Sequence, residues 1–238
     1  YRTLSARELS AGRAAVTEAI VRDVRPDFLN LGSEPDTQSR LTGLRDFATP
    51  QGYALHTAWL VKRLRSVGVG KTLLAAGVGT WQYRGDVYLR ALCSAGIDFV
   101  DLHVYPVNYD MLGKVITYSD LAASCGKPVA ISEAWLQKER DSELRQIDAA
   151  FDPEFYARDS FSFWAPLDQK FLAAFAKFCH WKHLLYFSPF WSKYFWAYLD
   201  YADASELTKQ EVMVVSTKAA AAALQKGELT PTAIAYRD

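Results

Sequence analysis

Two glutamates follow strand-like runs and have the surroundings expected of catalytic carboxylates. Glu34 closes the segment 27–34 and Glu133 closes the segment 128–133, and in both an apolar run leads to a serine and then to the acid. A charged side chain is costly to bury inside a packed strand, so each acid indicates where a strand leaves the core. Two such carboxylates suit hydrolysis of a glycosidic bond, in which one attacks the sugar and the other transfers the proton.

Other side chains near the predicted strand ends fit the same chemistry. Flat apolar rings can stack on the C–H face of a pyranose, and we interpret three tryptophans in this way: Trp81, Trp135 and Trp191. Tyr105 is placed to hydrogen-bond Glu133 and fix its orientation, and His103 to contact a sugar hydroxyl or join the same polar network. None of this chemistry requires a cofactor or a metal.

The bulk composition excludes several classes of partner. The chain has 238 residues with 27 Lys plus Arg against 27 Asp plus Glu, so its formal net charge is zero. Nucleic acids and anionic membranes require a basic excess, so neither is expected as a partner. No run of about 18 apolar residues predicts a membrane span. The first residues carry no signal sequence, which leaves the compartment open, with secretion or a periplasmic location compatible.

Cysteine and histidine spacing indicates no metal site. Cys93, Cys125 and Cys179 are widely spaced and match no metal or redox pattern, so we expect buried thiols. His180 and His183 share a helix face, but no further ligand residues accompany them, so we predict no metal there.

The order of predicted elements favours a parallel sheet covered by helices. Apolar periodicity predicts helices over 3–22, 53–67, 86–95, 111–124, 171–182 and 205–226, and strands over 28–31, 72–77, 97–104, 129–132 and 183–188. An open doubly wound sheet and a (β/α)₈ barrel both fit this alternation. No glycine-rich phosphate loop follows a strand, and the candidate residues cluster at strand ends, so we favour the barrel.

Three segments resemble the clan A glycoside hydrolases: residues 32–36 (Gly-Ser-Glu-Pro-Asp), 101–106 (Asp-Leu-His-Val-Tyr-Pro) and 131–135 (Ile-Ser-Glu-Ala-Trp). The resemblance implies a (β/α)₈ TIM barrel and a retaining mechanism. It makes Glu34 the acid/base at the end of strand four and Glu133 the nucleophile at the end of strand seven. His103 and Tyr105 then match a His-x-Tyr pattern after strand six, and Trp191 a sugar-stacking aromatic after strand eight.

The sequence departs from this family at two points. Ser33 stands where many members have an asparagine that contacts the sugar 2-hydroxyl, so we assign it to substrate binding with altered recognition. If residues 28–31 form strand four, strands one to three are missing. We therefore expect residues 1–238 to be the C-terminal part of a catalytic barrel, with strands four to eight present and the N-terminal half as an essential partner.

Three functions remain in competition. The first is a retaining β-glycosidase that acts on a polysaccharide or its oligosaccharides. The second is a catalytically inactive carbohydrate-binding barrel, which Ser33 and the missing strands keep open. The third is a metal-dependent barrel hydrolase that uses Glu34, His103 and His183.

Overall fold

The computed structural model describes residues 4–105, 110–140, 142–143 and 153–238. Its strands are β1 (Phe28–Asn30), β2 (Leu73–Gly79), β3 (Phe99–Val104), β4 (Val129–Ala134) and β5 (Phe187–Pro189). Its helices are α1 (Ala6–Ala19), α2 (Pro35–Thr42), α3 (Pro50–Val67), α4 (Gly85–Leu92), α5 (Met111–Ser124), α6 (Pro153–Arg158), α7 (Ala165–Lys182), α8 (Tyr201–Ala204), α9 (Lys209–Lys226) and α10 (Pro231–Arg237). The predicted helix start at residue 3 and the proline at position 106 lie outside the described residues.

The strands lie in the sheet in chain order, β1-β2-β3-β4-β5. The pairs β1–β2 and β2–β3 are parallel, with Asn30 opposite Ala75 and Gly77 opposite Asp101. A doubly wound sheet reverses its strand order at a switch point. The five described strands contain no such reversal, so the predicted parallel α/β sheet is confirmed and the open doubly wound alternative does not fit it.

Local sequence signals account for the starts of several helices. Ser5 and Glu8 form a capping box at the start of α1, and Thr208 and Glu211 form another at the start of α9. The Thr208–Glu211 box starts α9 at Lys209, four residues later than the predicted start at residue 205. Helix α9 is also not the final helix, because α10 follows it. Pro231 occupies the first turn of α10, where its missing N–H costs nothing.

Two further boundaries differ from the prediction. Pro35 begins α2 directly after Glu34, a helix that the sequence analysis did not predict. The last strand covers Phe187–Pro189, not residues 183–188. Hydrogen bonding to β4 nevertheless begins before this strand, because the backbone N–H of Leu185 donates to the carbonyl oxygen of Val129 at 2.8 Å.

The described contacts divide the chain into two compact units. The first comprises Tyr1–Val104, Leu112–Ser132 and His183–Tyr186. Its core includes Ala75, Phe99 and Ala130, all fully buried, with Tyr186 packed against them. Small residues on adjacent strands leave room for the Phe99 ring, and removing such a buried ring would cost about 3–5 kcal/mol.

A disulfide joins Cys93 and Cys125 within the first unit, with the two Cα atoms 5.8 Å apart. Cys93 directly follows α4 and Cys125 directly follows α5, so the bond ties the ends of two successive helices. The expectation of buried thiols is therefore wrong for this pair, and Cys179 is a free thiol that is only partly buried. The 32-residue separation gave no signal because disulfide pairing depends on tertiary proximity.

The second unit comprises Tyr105–Met111, Glu133–Lys182 and Phe187–Asp238. A buried lysine organises part of it. Lys138 pairs with Asp168 and lies 3.7 Å from Asp159, and all three side chains are at most 2% exposed. Tyr198 donates a 2.8 Å hydrogen bond to the second oxygen of Asp168. The network fixes the segment that follows β4 onto α7, since breaking one buried pair would leave an uncompensated charge.

In the described part of the chain, no helix is both long enough and apolar enough to cross a membrane.

Candidate functional site

Asp101 is the centre of a buried polar network in the first unit. The residue is 0% exposed although it lies in the middle of β3. Its Oδ2 accepts hydrogen bonds from the hydroxyls of Ser33 and Ser132, each at 2.6 Å, and from the amide of Asn30. Its Oδ1 accepts from the backbone N–H of Ser132 at 2.9 Å. Asn30 lies on β1, Ser33 lies just after β1 and Ser132 lies on β4, so one carboxylate satisfies polar groups from three parts of the sheet.

Backbone geometry around Gly77 allows this arrangement. A Cβ at position 77 would lie 1.4 Å from the carbonyl oxygen of Asp101, so only glycine fits where β2 passes β3. The hydroxyl of Tyr53 donates to the carbonyl oxygens of Gly77 and Gly32. The Tyr53 hydroxyl thereby fixes the backbone that leads to Ser33 and Glu34.

Glu34 pairs with His103 at the carboxyl ends of β1 and β3. Oε1 of Glu34 lies 2.8 Å from Nδ1 of His103. Nε2 of His103 lies 3.3 Å from the Ser132 hydroxyl and 3.5 Å from Asp101 Oδ2. Both ring nitrogens thus face oxygen atoms that can accept, which suits the doubly protonated ring. His103 therefore joins the Asp101 network, which the sequence did not predict, and its contact with a sugar hydroxyl remains a prediction.

The pKa of Glu34 lies below its ordinary value. Burial is the largest single influence and raises it, but the hydrogen bond and positive charge of His103, together with Thr37 and Arg40, outweigh burial. A general acid must hold a proton, so this direction is opposite to the one that the acid/base role requires at neutral pH.

Trp81 contacts Asp36 and is partly exposed. Its indole N–H donates a 3.0 Å hydrogen bond to Oδ2 of Asp36, in the first turn of α2. Burial raises the pKa of Asp36, and the charge of Glu34 raises it further. The Trp81 ring packs over Gly79, where a Cβ would come within 2.5 Å of it. Sugar stacking on Trp81 remains a prediction.

Tyr105 is a hydrogen-bond partner of Glu133 within the second unit. The hydroxyl of Tyr105 donates a 2.8 Å hydrogen bond to Oε1 of Glu133, as the sequence led us to expect. Tyr105 is 7% exposed, and its ring packs edge-on against Phe190 at 6.0 Å. A buried phenol that donates to a carboxylate favours the ionised form of that carboxylate and fixes one of its oxygens.

The other two candidate tryptophans, both in the second unit, have different environments. Trp135 is 0% exposed and packs against Phe171 and Tyr194, so its faces are covered by protein. The predicted stacking role of Trp135 is wrong in this structure, because the ring is needed to fill the core beside α7. Trp191 is partly exposed, with Lys193 Nζ 4.9 Å above its ring, and its sugar-stacking role stays a prediction.

Among the described residues, His183 does not cluster with Glu34 and His103, the other two ligands of the hypothetical metal site. His183 is exposed and has a left-handed backbone at the end of α7. No group of three potential ligands within the described ranges contains His183 or His180.

Sequence reasoning missed Asp101 and Asn30 as site residues. The available signal was that Asp101 interrupts an otherwise apolar strand two residues before His103, which places both side chains on one face of β3. A buried carboxylate in a central strand requires partners on neighbouring strands. The sequence does not show which strands those are. Ser33, assigned to substrate binding, donates to Asp101, and its contact with a sugar remains a prediction.

Sequence comparison finds no protein-family model that matches the chain. It also finds no match among curated proteins.

Among solved structures, the chain is similar to parts of larger glycoside hydrolases. An endo-1,4-β-xylanase from Caldicellulosiruptor owensensis is 13% identical with a TM-score of 0.46, over 85% of this chain and 62% of the xylanase. A GH113 β-1,4-mannanase is 11% identical with a TM-score of 0.49, over 90% and 64%. A triple mutant of an endo-β-1,4-glucanase from Xanthomonas axonopodis pv. citri is 12% identical with a TM-score of 0.43, over 89% and 66%.

The chain thus spans less than two thirds of the length of these structures. At such identities and TM-scores the matches carry no inference about activity.

Proposed function

We propose that this protein is a retaining β-glycosidase, with Glu133 as nucleophile and Glu34 as acid/base. The observation that carries the proposal is the hydrogen bond from the buried Tyr105 hydroxyl to Glu133. A nucleophilic carboxylate must be ionised and held in one orientation, and a donor at 2.8 Å supports both requirements. The placement of Glu34 after β1 and of Glu133 at the carboxyl end of β4 adds support, since barrel enzymes use residues from the ends of different strands.

The proposed reaction has two displacements. Glu133 attacks the anomeric carbon and forms a covalent glycosyl ester, while Glu34 gives its proton to the departing glycosidic oxygen. Glu34 then removes a proton from water, the water oxygen attacks the anomeric carbon, and the bond to Glu133 breaks. Retention of configuration requires the two carboxylates to approach to about 5–5.5 Å.

The lowered pKa of Glu34 sets a condition on this mechanism. Because the acid must be protonated when the first displacement occurs, the rate is expected to fall as pH rises through the pKa of Glu34. A pKa below the ordinary value moves this fall to lower pH. The proposed enzyme therefore works best in acid.

The proposal includes the strands that this sequence lacks. We assign β1 to β5 to strands four to eight of a (β/α)₈ barrel, with strands one to three supplied by residues outside the sequence. The parallel, chain-ordered sheet supports this assignment. Phe28 on the edge strand β1 is 39% exposed, which fits an edge that further strands would cover.

Azide rescue tests the assignment in the complete protein. Glu133→Ala should abolish hydrolysis of aryl β-glycosides, and azide should restore turnover with a product of inverted configuration. Glu34→Ala should retain activity on substrates with good leaving groups, and azide should give a product of retained configuration. Full activity of Glu133→Ala would refute the nucleophile.

The low pKa of Glu34 favours one alternative, a barrel that binds carbohydrate without cleaving it. An acid that stays ionised at neutral pH cannot protonate a leaving group. Oligosaccharide binding by the complete protein, with no hydrolysis of aryl β-glycosides from pH 4 to 8, would establish this alternative.

A further inference from the structure

A cavity of about 690 Å³ opens between α1 and α3 in the first unit. Its lining includes Arg7 on α1, Asp46 in the segment that joins α2 to α3, and Trp59 on α3. The cavity contains no member of the Asp101 network and neither candidate glutamate. Its volume is in the range of small-molecule sites, so the side chains that line it indicate what class of molecule could bind.

Trp59 presents a flat apolar ring at this cavity. The residue is 44% exposed and lies one helical turn after Leu55, which is 72% exposed and lines the same cavity. The ring of His56 lies against that of Trp59 with centroids 6.2 Å apart, and the buried Phe47 packs edge-on against His56 at 5.0 Å. These inner rings restrict the orientation of the indole before a ligand arrives, which lowers the cost of binding.

Polar side chains of both signs accompany this ring. Arg7 and Asp46 are exposed, and neither side chain has an ion pair or a hydrogen bond in the described part of the chain. A guanidinium that donates and a carboxylate that accepts are therefore both available to a ligand. The hydroxyl of Ser10 also lines the cavity, 3.3 Å from Nδ1 of His56.

The lining of the cavity carries no net charge. The charges of Arg7 and Asp46 cancel. Burial lowers the pKa of His56 to about 4, with Arg13 acting in the same direction and Asp46 against it, so the imidazole is neutral at physiological pH. A charged ligand would find no excess of the opposite charge here, whereas a neutral molecule with hydroxyl groups could use both side chains.

We propose that this cavity is a second carbohydrate-binding site, which holds one pyranose ring of a neutral oligosaccharide. Trp59 stacks on the C–H face of the ring, Arg7 donates to one sugar hydroxyl, and Asp46 accepts from another. A pyranose combines an apolar face with hydroxyl groups at its rim, and the lining offers a partner for each. The inference goes beyond the proposed function, because binding in this cavity requires neither glutamate and breaks no bond.

The indole signals of ¹⁵N-labelled tryptophan test the proposal in the complete protein. The signal of Trp59 is identified by its loss in Trp59→Phe, and Glu133→Ala serves as the background so that the proposed enzyme does not consume the probes. The probes are cellohexaose, mannohexaose and xylohexaose. At least one of them should shift the Trp59 signal in a saturable way. A Trp59 signal that none of the three moves would overturn the proposal.

Two substitutions test the polar contacts. Arg7→Ala and Asp46→Ala should each weaken binding about tenfold, because each removes hydrogen bonds between the sugar and a charged group. Lys62→Ala, which removes an exposed charge from α3 outside the cavity, should leave the affinity unchanged. The other indole signals, recorded before the titration, show that each variant is folded. Wild-type affinity in both Arg7→Ala and Asp46→Ala would also overturn the proposal.

The outcome is independent of catalysis, because the Trp59 signal reports binding without turnover. A responsive Trp59 signal with failed azide rescue would refute only the glycosidase. Intact azide rescue with an unmoved Trp59 signal would refute only the second carbohydrate-binding site.

Discussion

The hydroxyl of Tyr105 donates a 2.8 Å hydrogen bond to Oε1 of Glu133. Tyr105 directly follows β3, and Glu133 is the second-last residue of β4. The bond fixes one carboxylate oxygen and leaves the other available for chemistry. A buried donor of this kind stabilises negative charge on Glu133, and we propose that this prepares it as a nucleophile.

Tyr105→Phe should slow formation of the glycosyl-enzyme about 10- to 100-fold. Loss of a hydrogen bond to a charged group corresponds to about 1.5–3 kcal/mol, and the phenylalanine ring keeps the packing against Phe190. The rate of inactivation by a 2-fluoroglycoside measures this step. Tyr201→Phe, which changes a half-exposed ring, is the control. Equal inactivation of Tyr105→Phe and wild type would contradict a role for Tyr105.

His103→Gln should raise the pKa of Glu34. Glutamine can still donate a hydrogen bond to Glu34, but it removes the positive charge that lowers this pKa. Because the acid works in its protonated form, the fall of kcat/KM with rising pH should move to higher pH. His180→Gln, on the exposed end of α7, should leave the pH profile unchanged. An unshifted profile for His103→Gln would show that Glu34 is not the titrating acid.

The pairing of Glu34 with His103 should make the free energy of unfolding depend on pH in the acid range. Glu34 has a folded-state pKa below its unfolded value, so its ionised form stabilises the fold at pH above the unfolded pKa. That stabilisation is lost as pH falls through the folded pKa. Urea unfolding at several pH values should show that the free energy of unfolding falls less at acid pH in His103→Gln than in wild type. An identical loss in both proteins would exclude the pairing.

Asp101→Asn should destabilise the fold by about 2 kcal/mol. An amide nitrogen in place of Oδ2 cannot accept the hydrogen bonds of Ser33 and Ser132, and serine hydroxyls can reorient only in part. The free energy of unfolding in urea measures the loss. Asp203→Asn, at an exposed position of α8, is the matched control. A change below about 0.5 kcal/mol would mean that Asp101 does not organise the network.

Reduction of the Cys93–Cys125 bond should lower the free energy of unfolding by about 3–4 kcal/mol. The bond closes a loop of 32 residues, and a cross-link of that length restricts the unfolded chain. Unfolding of the double variant Cys93→Ser/Cys125→Ser should match that of the reduced wild type. Cys179→Ser should leave the effect of reductant intact. Two additional maleimide-reactive thiols in the unreduced unfolded protein would contradict the disulfide.

Local signals in the sequence located the strands that carry the candidate residues. Apolar runs followed by an acid indicated the ends of β1 and β4, because a carboxylate is expelled from a strand interior unless it has partners. The same rule failed for Asp101. There the partners exist, but they lie on two other strands, and strand neighbours become known only from the sheet order.

The sequence by itself determined the alternation of helices and strands, the two glutamates at strand ends and the chemistry that suits them. These features follow from periodicity and from the cost of burying charge, which act within a few residues. Only the tertiary structure decided that His103 lowers the pKa of Glu34, that Trp135 fills a core and that Cys93 bonds Cys125. Each of these depends on which distant side chains register and packing bring into contact, and no local pattern encodes that.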